Sequence, residues 1–237
     1  MENSKTLWIF GDSYSAPWDK LSGTHKEYVD KHNPKYHFAN ILQKELGCDA
    51  LNNLAVSGWD NYSIMESVGT VISKIKPQDY VIIGWSETVR YRNTYMRPGK
   101  WTTISVNFDY NWFYKNPLGF DMKHWEQESV ARDCALTSKE IDSWVALLHH
   151  AIPNNLLNWT LFKWPKKYSN GIVIPINVNR PTCPLPLIKD NTDIEDYHIT
   201  DEAHLNLGNW MVDILENNLS CFKDNFNELY TIKKTII

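Results

Sequence analysis

Short apolar runs, separated by segments with helical spacing, set the strongest limit on how this chain can fold. Tyr80-Val81-Ile82-Ile83-Gly84 is the clearest of them, a β-branched run entered through the turn Pro77-Gln78-Asp79 and closed by glycine. It is too short for a helix and suits a strand buried on both faces. Thr6–Phe10, ended by Gly11, is a second such run; Cys48–Val56 reads as another strand and Gly171–Ile176 as a fourth. Between them, Tyr36–Leu46 places Phe38, Ile41, Leu42 and Leu46 at helical spacing, with Gly47 as its C-cap. Asp60 or Asn61 caps the next helix, whose inner face carries Ile64, Val68, Val71, Ile72 and Ile75. Thr137 or Ser138 caps a long helix containing Ile141, Trp144, Val145, Leu147 and Leu148, which Pro153 kinks or divides. Asp201–Leu219 forms the last helix, with Leu207, Trp210, Met211, Ile214 and Leu215 inward.

Strand and helix in alternation predict an α/β protein, a parallel sheet of about five strands covered on both faces. A length of 237 residues fits one domain, 1–237, better than two. The rhythm breaks at about 90–135, where an aromatic-rich cap of loops and short hairpins is expected. Tyr91, Tyr95, Trp101, Phe108, Tyr110, Trp112, Phe113, Tyr114 and Trp125 fall there, in a chain with eleven tryptophans and twelve tyrosines. Such residues build the core of an insertion or a face that stacks on sugar rings or anchors a protein partner. Tyr14–Pro34 reads as a long polar loop over the carboxyl ends of the strands, and Asn177–Ile199 as a proline-rich loop.

Composition narrows the function. The net charge of −4 and the dispersed basic residues give no reason to expect nucleic acid. Cys48, Cys134, Cys183 and Cys221 form no C-x-x-C pair, so neither a zinc site nor a disulfide framework is expected. His149-His150 lacks a Glu-x-x-His arrangement, and His25, His32 and His37 in the first loop read as part of a lid. No metal and no cofactor are expected. The polar start, Met1 to Thr6, lacks a signal-peptide pattern, and no apolar run is long enough to cross a membrane. The expected location is the cytoplasm of the producing cell, or a virus particle if the chain is phage-encoded.

In parallel α/β sheets, sites gather where the strands end. Ser13, directly after the first strand, is a candidate nucleophile. A serine hydroxyl needs a neighbouring base to take its proton. His204 in Asp201-Glu202-Ala203-His204 can supply that base, with Asp201 fixing the imidazole tautomer. An acyl-transfer site also needs hydrogen-bond donors for the developing oxyanion, and the backbone N–H groups of Ser13 and Gly58 are candidates. Taken singly, each fragment has a bland reading: Gly-Asp-Ser as a strand-end turn, Asp201 as a helix cap with His204 facing solvent.

Together these blocks resemble the SGNH (GDSL-type) hydrolases. Ile9-Phe10-Gly11-Asp12-Ser13 is similar to the family's nucleophile block, and Asn53-Leu54-Ala55-Val56-Ser57-Gly58 to the block whose glycine serves the oxyanion hole. Asp201-Glu202-Ala203-His204-Leu205-Asn206, followed by Gly208, is similar to the last block. The resemblance spans the chain apart from the insertion. It implies a flavodoxin-like three-layer α/β/α fold, a Ser13-His204-Asp201 triad, and metal-free hydrolysis of an ester, such as an acetyl group on a carbohydrate. The third block departs: where the family has Gly-x-Asn-Asp, this chain has Gly84-Trp85-Ser86-Glu87. A Ser86 hydroxyl can donate one hydrogen bond to an oxyanion, but it is shorter than asparagine and needs a partner to aim it. Bacteriophage-encoded members of the family look similar, tryptophan- and asparagine-rich with a loose third block.

Asp12, Trp85, Glu87, Arg90 and Asn177 are further candidates for substrate contact by their places near strand ends; Arg90 has an equal claim to a salt bridge tying the insertion to the body. The competing function keeps the fold without catalysis, as a glycan-binding or virion-associated component. The lost asparagine motivates it.

Overall fold

The computed structural model describes residues 4–21, 23–86, 90–97, 100–107, 139–152, 155–160, 171–173, 187–189 and 195–217. Five parallel strands form the central sheet: β1 (Thr6–Phe10), β2 (Ala50–Asn53), β3 (Tyr80–Trp85), β6 (Leu156–Thr160) and β7 (Gly171–Val173), in the order β2-β1-β3-β6-β7. Two antiparallel pairs lie outside it, β4 (Arg90–Arg97) with β5 (Lys100–Asn107) and β8 (Leu187–Lys189) with β9 (Glu195–Ile199).

The helices divide between the two faces because the chain reverses direction across the sheet. From β1 it steps outward to β2 through α2 (Phe38–Glu45), then back over β1 to β3 through α3 (Asn61–Val71). Crossovers of one hand must change face when they change direction. Accordingly Leu7, Ile9, Ile82, Leu157 and Trp159 pack with α2 and the last helix, α5 (Asp201–Asn217). Trp8, Phe10, Val81, Ile83 and Trp85 pack with α3 and with α4 (139–151). Adjacent residues of each strand therefore enter opposite cores, which is why β1 and β3 read as unbroken apolar runs. This is a three-layer α/β/α sandwich with flavodoxin-like strand order. Gly208 sets the spacing of α2 and α5, since a Cβ on it would meet Ile41 Cβ at 2.9 Å.

Several boundaries differ from expectation. The second strand is shorter than Cys48–Val56, although Leu54 N–H still reaches Ile9 O (2.8 Å) and Val56 N–H reaches Gly11 O (3.1 Å). The first loop is partly helical: a 3-10 turn at Trp18–Lys20 precedes α1 (Gly23–His32). The region after α4 holds a strand, not a second helical segment; Asn155, at φ +55°, leads into β6. Asn177–Ile199 contains β8 and β9 rather than loop alone. The hairpin β4–β5 lies within the stretch read as an insertion, and most of the aromatic stretch beyond it lies outside the described residues.

Candidate functional site

β1 and β3 are paired through Phe10 and Ile83, so Ser13 and Ser86 each follow the same rung of the ladder by three residues. The strand order reverses at β1, with β2 on one side and β3 on the other. In open α/β sheets this is the crevice in which ligands bind.

The turn that carries Ser13 is built by its neighbours. Asp12 C=O accepts the N–H groups of Ser15 (3.0 Å) and Ala16 (2.9 Å), and Asp12 Oδ1 accepts Tyr14 N–H (3.1 Å). These bonds hold Asp12 as a turn former, 2% exposed, under Ser13 at 6%. Gly11, at φ +155°, is needed twice: for that backbone angle, and because a Cβ would sit 2.5 Å from Ser15 Oγ. Gly84 faces the same side chain, and a Cβ there would meet Ser15 Oγ at 2.5 Å and Trp159 Nε1 at 2.9 Å. The seryl turn is thus seated directly on the end of β3. Gly84→Ala is expected to destabilise the fold by about 2 kcal/mol through overpacking. Chemical denaturation reads it, and a loss below about 0.5 kcal/mol would show that Ser15 and Trp159 yield freely.

Gly58 follows β2, the strand on the other side of β1 from β3. Trp59 N–H bonds to Val56 O (3.3 Å), and Gly58 occupies the turn at φ +85°, where a side chain would be strained. Asn53 ties this segment to the seryl loop: its Nδ2 donates to Ser15 O (2.8 Å) and its Oδ1 accepts Ala55 N–H (3.1 Å).

Ser86 is buried, and its Oγ has no hydrogen-bond partner among the described residues. Its backbone is gripped at both polar groups by Asn61. Asn61 Oδ1 accepts Ser86 N–H at 2.8 Å, and Asn61 Nδ2 donates to Ser86 O at 3.1 Å. Asp60, not Asn61, caps α3, accepting Ser63 N–H at 2.7 Å. The sequence presented both residues as caps; only one can serve, and the other is turned inward.

His204 is also buried, in contrast to the solvent-facing reading. Its ring stacks on His37 (centroids 4.8 Å apart) and Phe38 (5.8 Å), and meets Trp18 edge-on at 4.9 Å. Neither ring nitrogen is hydrogen-bonded to Ser13 or to Asp201. The carboxylate of Asp201 accepts the N–H of Tyr36, and Thr200 caps α5, its Oγ1 accepting Ala203 N–H at 3.1 Å. The imidazole is therefore packed among three rings, while the carboxylate three residues before it is engaged by Tyr36 N–H.

His37 connects His204 to the seryl loop. Its Nδ1 accepts Ala39 N–H (3.2 Å), capping α2, so Nε2 carries the proton and donates to Ala16 O (3.0 Å) in the seryl loop. Burial lowers its pKa from 6.5 to about 4, against a smaller upward pull from the Ala16 carbonyl. The unfolded chain then binds more protons than the native one between these values. The contribution to stability is full above about pH 6.5 and declines as the pH falls toward 4, by about 3 kcal/mol in all. His37→Asn keeps a capping oxygen and removes the titration. Urea unfolding from pH 7.5 to 4.5 is expected to show a stability loss smaller by about 2 kcal/mol in the variant, with His149, also lowered by burial, contributing to what remains. Equal slopes would refute the assignment.

The remaining candidates disperse. Trp85 points into the core, where its Nε1 donates to Asn158 Oδ1 (3.0 Å) and Asn158 Nδ2 meets His149 Nε2 at 3.2 Å, so it does not line the crevice. Glu87 and Asn177 lie outside the described residues, as does the side chain of Arg90. No group of three or more His, Cys, Asp or Glu able to hold a metal occurs among the described residues. None of their helices is long and apolar enough to cross a membrane. Sequence reasoning missed Asn61 and underrated His37; the only signal for Asn61 was an Asp-Asn pair where one cap suffices.

The class that fold and crevice define is thus an α/β sandwich of flavodoxin-like order with a seryl turn at its switch point. No protein-family model matches the chain, and no curated protein is significantly similar to it.

Proposed function

We propose that the protein is a serine-dependent ester hydrolase of SGNH type. What supports this reading is that Ser13 and Ser86 follow the paired ends of β1 and β3, and that the ring of His204 stacks on His37, which donates to Ala16 O in the seryl loop. In the proposed reaction Ser13 Oγ attacks the ester carbonyl while His204 takes its proton; the backbone N–H groups of Ser13 and Gly58 and the Ser86 hydroxyl receive the developing negative charge. His204 then returns the proton to the departing alcohol, and water releases the acid from the acyl-serine. Catalytic hydrogen bonds often tighten only when substrate binds, which accommodates the absence of a Ser13–His204 bond. The substrate proposed is a small acyl ester, with an acetylated carbohydrate suggested by the aromatic residues between Tyr91 and Trp125.

A second reading is favoured by the burial of Ser13, Ser86 and His204 at 6%, 1% and 1% exposure. On it, the crevice is closed by side chains and the protein is a binding or structural relative of such hydrolases. Incubation with a fluorophosphonate probe and peptide mapping separates the two. The hydrolase reading expects covalent label on Ser13 and turnover of p-nitrophenyl acetate; no label and no turnover would establish the second.

A further inference from the structure

We infer that Asn61 is a positioning residue for the Ser86 hydroxyl, and that the two together do what a single long amide side chain would do as an oxyanion donor. The inference rests on the hydrolase reading and assigns a role that reading does not contain. A serine hydroxyl is short and rotates freely, so it donates in a fixed direction only if its own backbone is fixed and no other acceptor captures its hydrogen. Both conditions are met. The Asn61 amide grips the N–H and the C=O of Ser86 at 2.8 and 3.1 Å, which fixes the direction of the Cα–Cβ bond. Asn61 and Ser86 are both buried, at 0% and 1% exposure, so water does not compete for either. Ser86 Oγ, meanwhile, has no acceptor among the described residues, the condition expected of a donor kept for a ligand oxygen.

The geometry also explains why the grip comes from α3. Asp60 satisfies the helix end through Ser63 N–H at 2.7 Å, which releases the Asn61 side chain to reach the end of β3. A hydrogen-bonded ligand oxygen at Ser86 would thus be held by the strand and, through the clamp, by the helix that follows the Gly58 turn. The second and third donor positions are mechanically joined.

A double-mutant cycle on p-nitrophenyl acetate hydrolysis tests this. Ser86→Ala is expected to lower kcat about 100-fold with KM changed less than about threefold, as for loss of one oxyanion donor. Asn61→Ala is expected to lower kcat at least about 10-fold, again with little change in KM, and the double variant to be no slower than Ser86→Ala alone. Asn61→Asp, which keeps the size and the acceptor for Ser86 N–H, guards against a folding defect and is expected to fall between Asn61→Ala and wild type. Multiplying losses in the double variant, or wild-type kcat in a folded Asn61→Ala, overturns the inference while leaving the hydrolase reading intact. A wild-type protein no faster than Ser13→Ala overturns the reading and the inference with it.

Discussion

Ser13→Ala is expected to lower kcat for acetyl-ester hydrolysis by about 10⁴-fold or more while leaving the fold in place. The size follows from the proposed chemistry: without the hydroxyl no acyl-enzyme could form, and only the proposed oxyanion donors and substrate positioning would remain. Stability should change little, because the turn is held by bonds that Ser13 does not supply, those from Asp12 to the N–H groups of Tyr14, Ser15 and Ala16. On the same proposal His204→Ala should cost a similar factor in rate, since a nucleophile and its base act as a unit. It should also destabilise the protein, because the ring fills the space among Trp18, His37 and Phe38. Asp201→Ala is the informative third variant. Its carboxylate binds Tyr36 N–H and the imidazole is packed among three rings, so the expected loss is about 10–100-fold, well short of the Ser13 effect. Steady-state kinetics with melting curves on the three variants measures this ordering. Equal turnover by wild type and Ser13→Ala would remove the hydrolase reading.

That ordering departs from the simplest expectation, and the reason shows where sequence stops informing. β1 and β3 were legible because each strand places alternate apolar residues in two different cores, leaving an unbroken run. β6 was not, because Asn158 interrupts Leu156-Leu157-Asn158-Trp159-Thr160. Its amide is satisfied by Trp85 and His149, partners no local pattern reveals. The Asp-x-x-His pattern located the buried imidazole, yet its support comes from Trp18, His37 and Phe38, at the far end of the chain. Ser86 was legible as a departure that needed a partner to aim it. Asn61 is that candidate partner, and only the contact of α3 with the end of β3 identifies it. Local runs are visible in sequence because their cause is local; long-range polar pairs are not.

At the opposite end of the sheet, Asp79→Ala is expected to destabilise the protein by about 3–5 kcal/mol, a large part of a typical total of 5–15 kcal/mol. Asp79 is 1% exposed and is the common acceptor for three donors. Its Oδ1 takes Thr6 N–H at 2.9 Å; its Oδ2 takes Trp8 Nε1–H and Lys76 N–H, both at 3.0 Å. One carboxylate therefore joins the start of β1 to the turn that opens β3, the two strands on which the crevice depends. Removing it leaves the Trp8 indole N–H buried without an acceptor and frees two backbone donors, and the penalty for unmet buried donors exceeds the worth of the bonds themselves. Asp79→Asn, which keeps one acceptor oxygen but turns an NH₂ toward a donor, should lose about 2 kcal/mol. Because Asp79 stands at the amino ends of the strands and Ser13 and Ser86 at the carboxyl ends, ester turnover per folded molecule should remain within about twofold of wild type. Urea unfolding at neutral pH gives the stability, and kcat measured well below the melting temperature gives the activity. A loss under 1 kcal/mol would mean that water replaces the carboxylate at those donors. A fall in kcat as large as that of Ser86→Ala would mean that strain at one end of β1 and β3 is transmitted to the other.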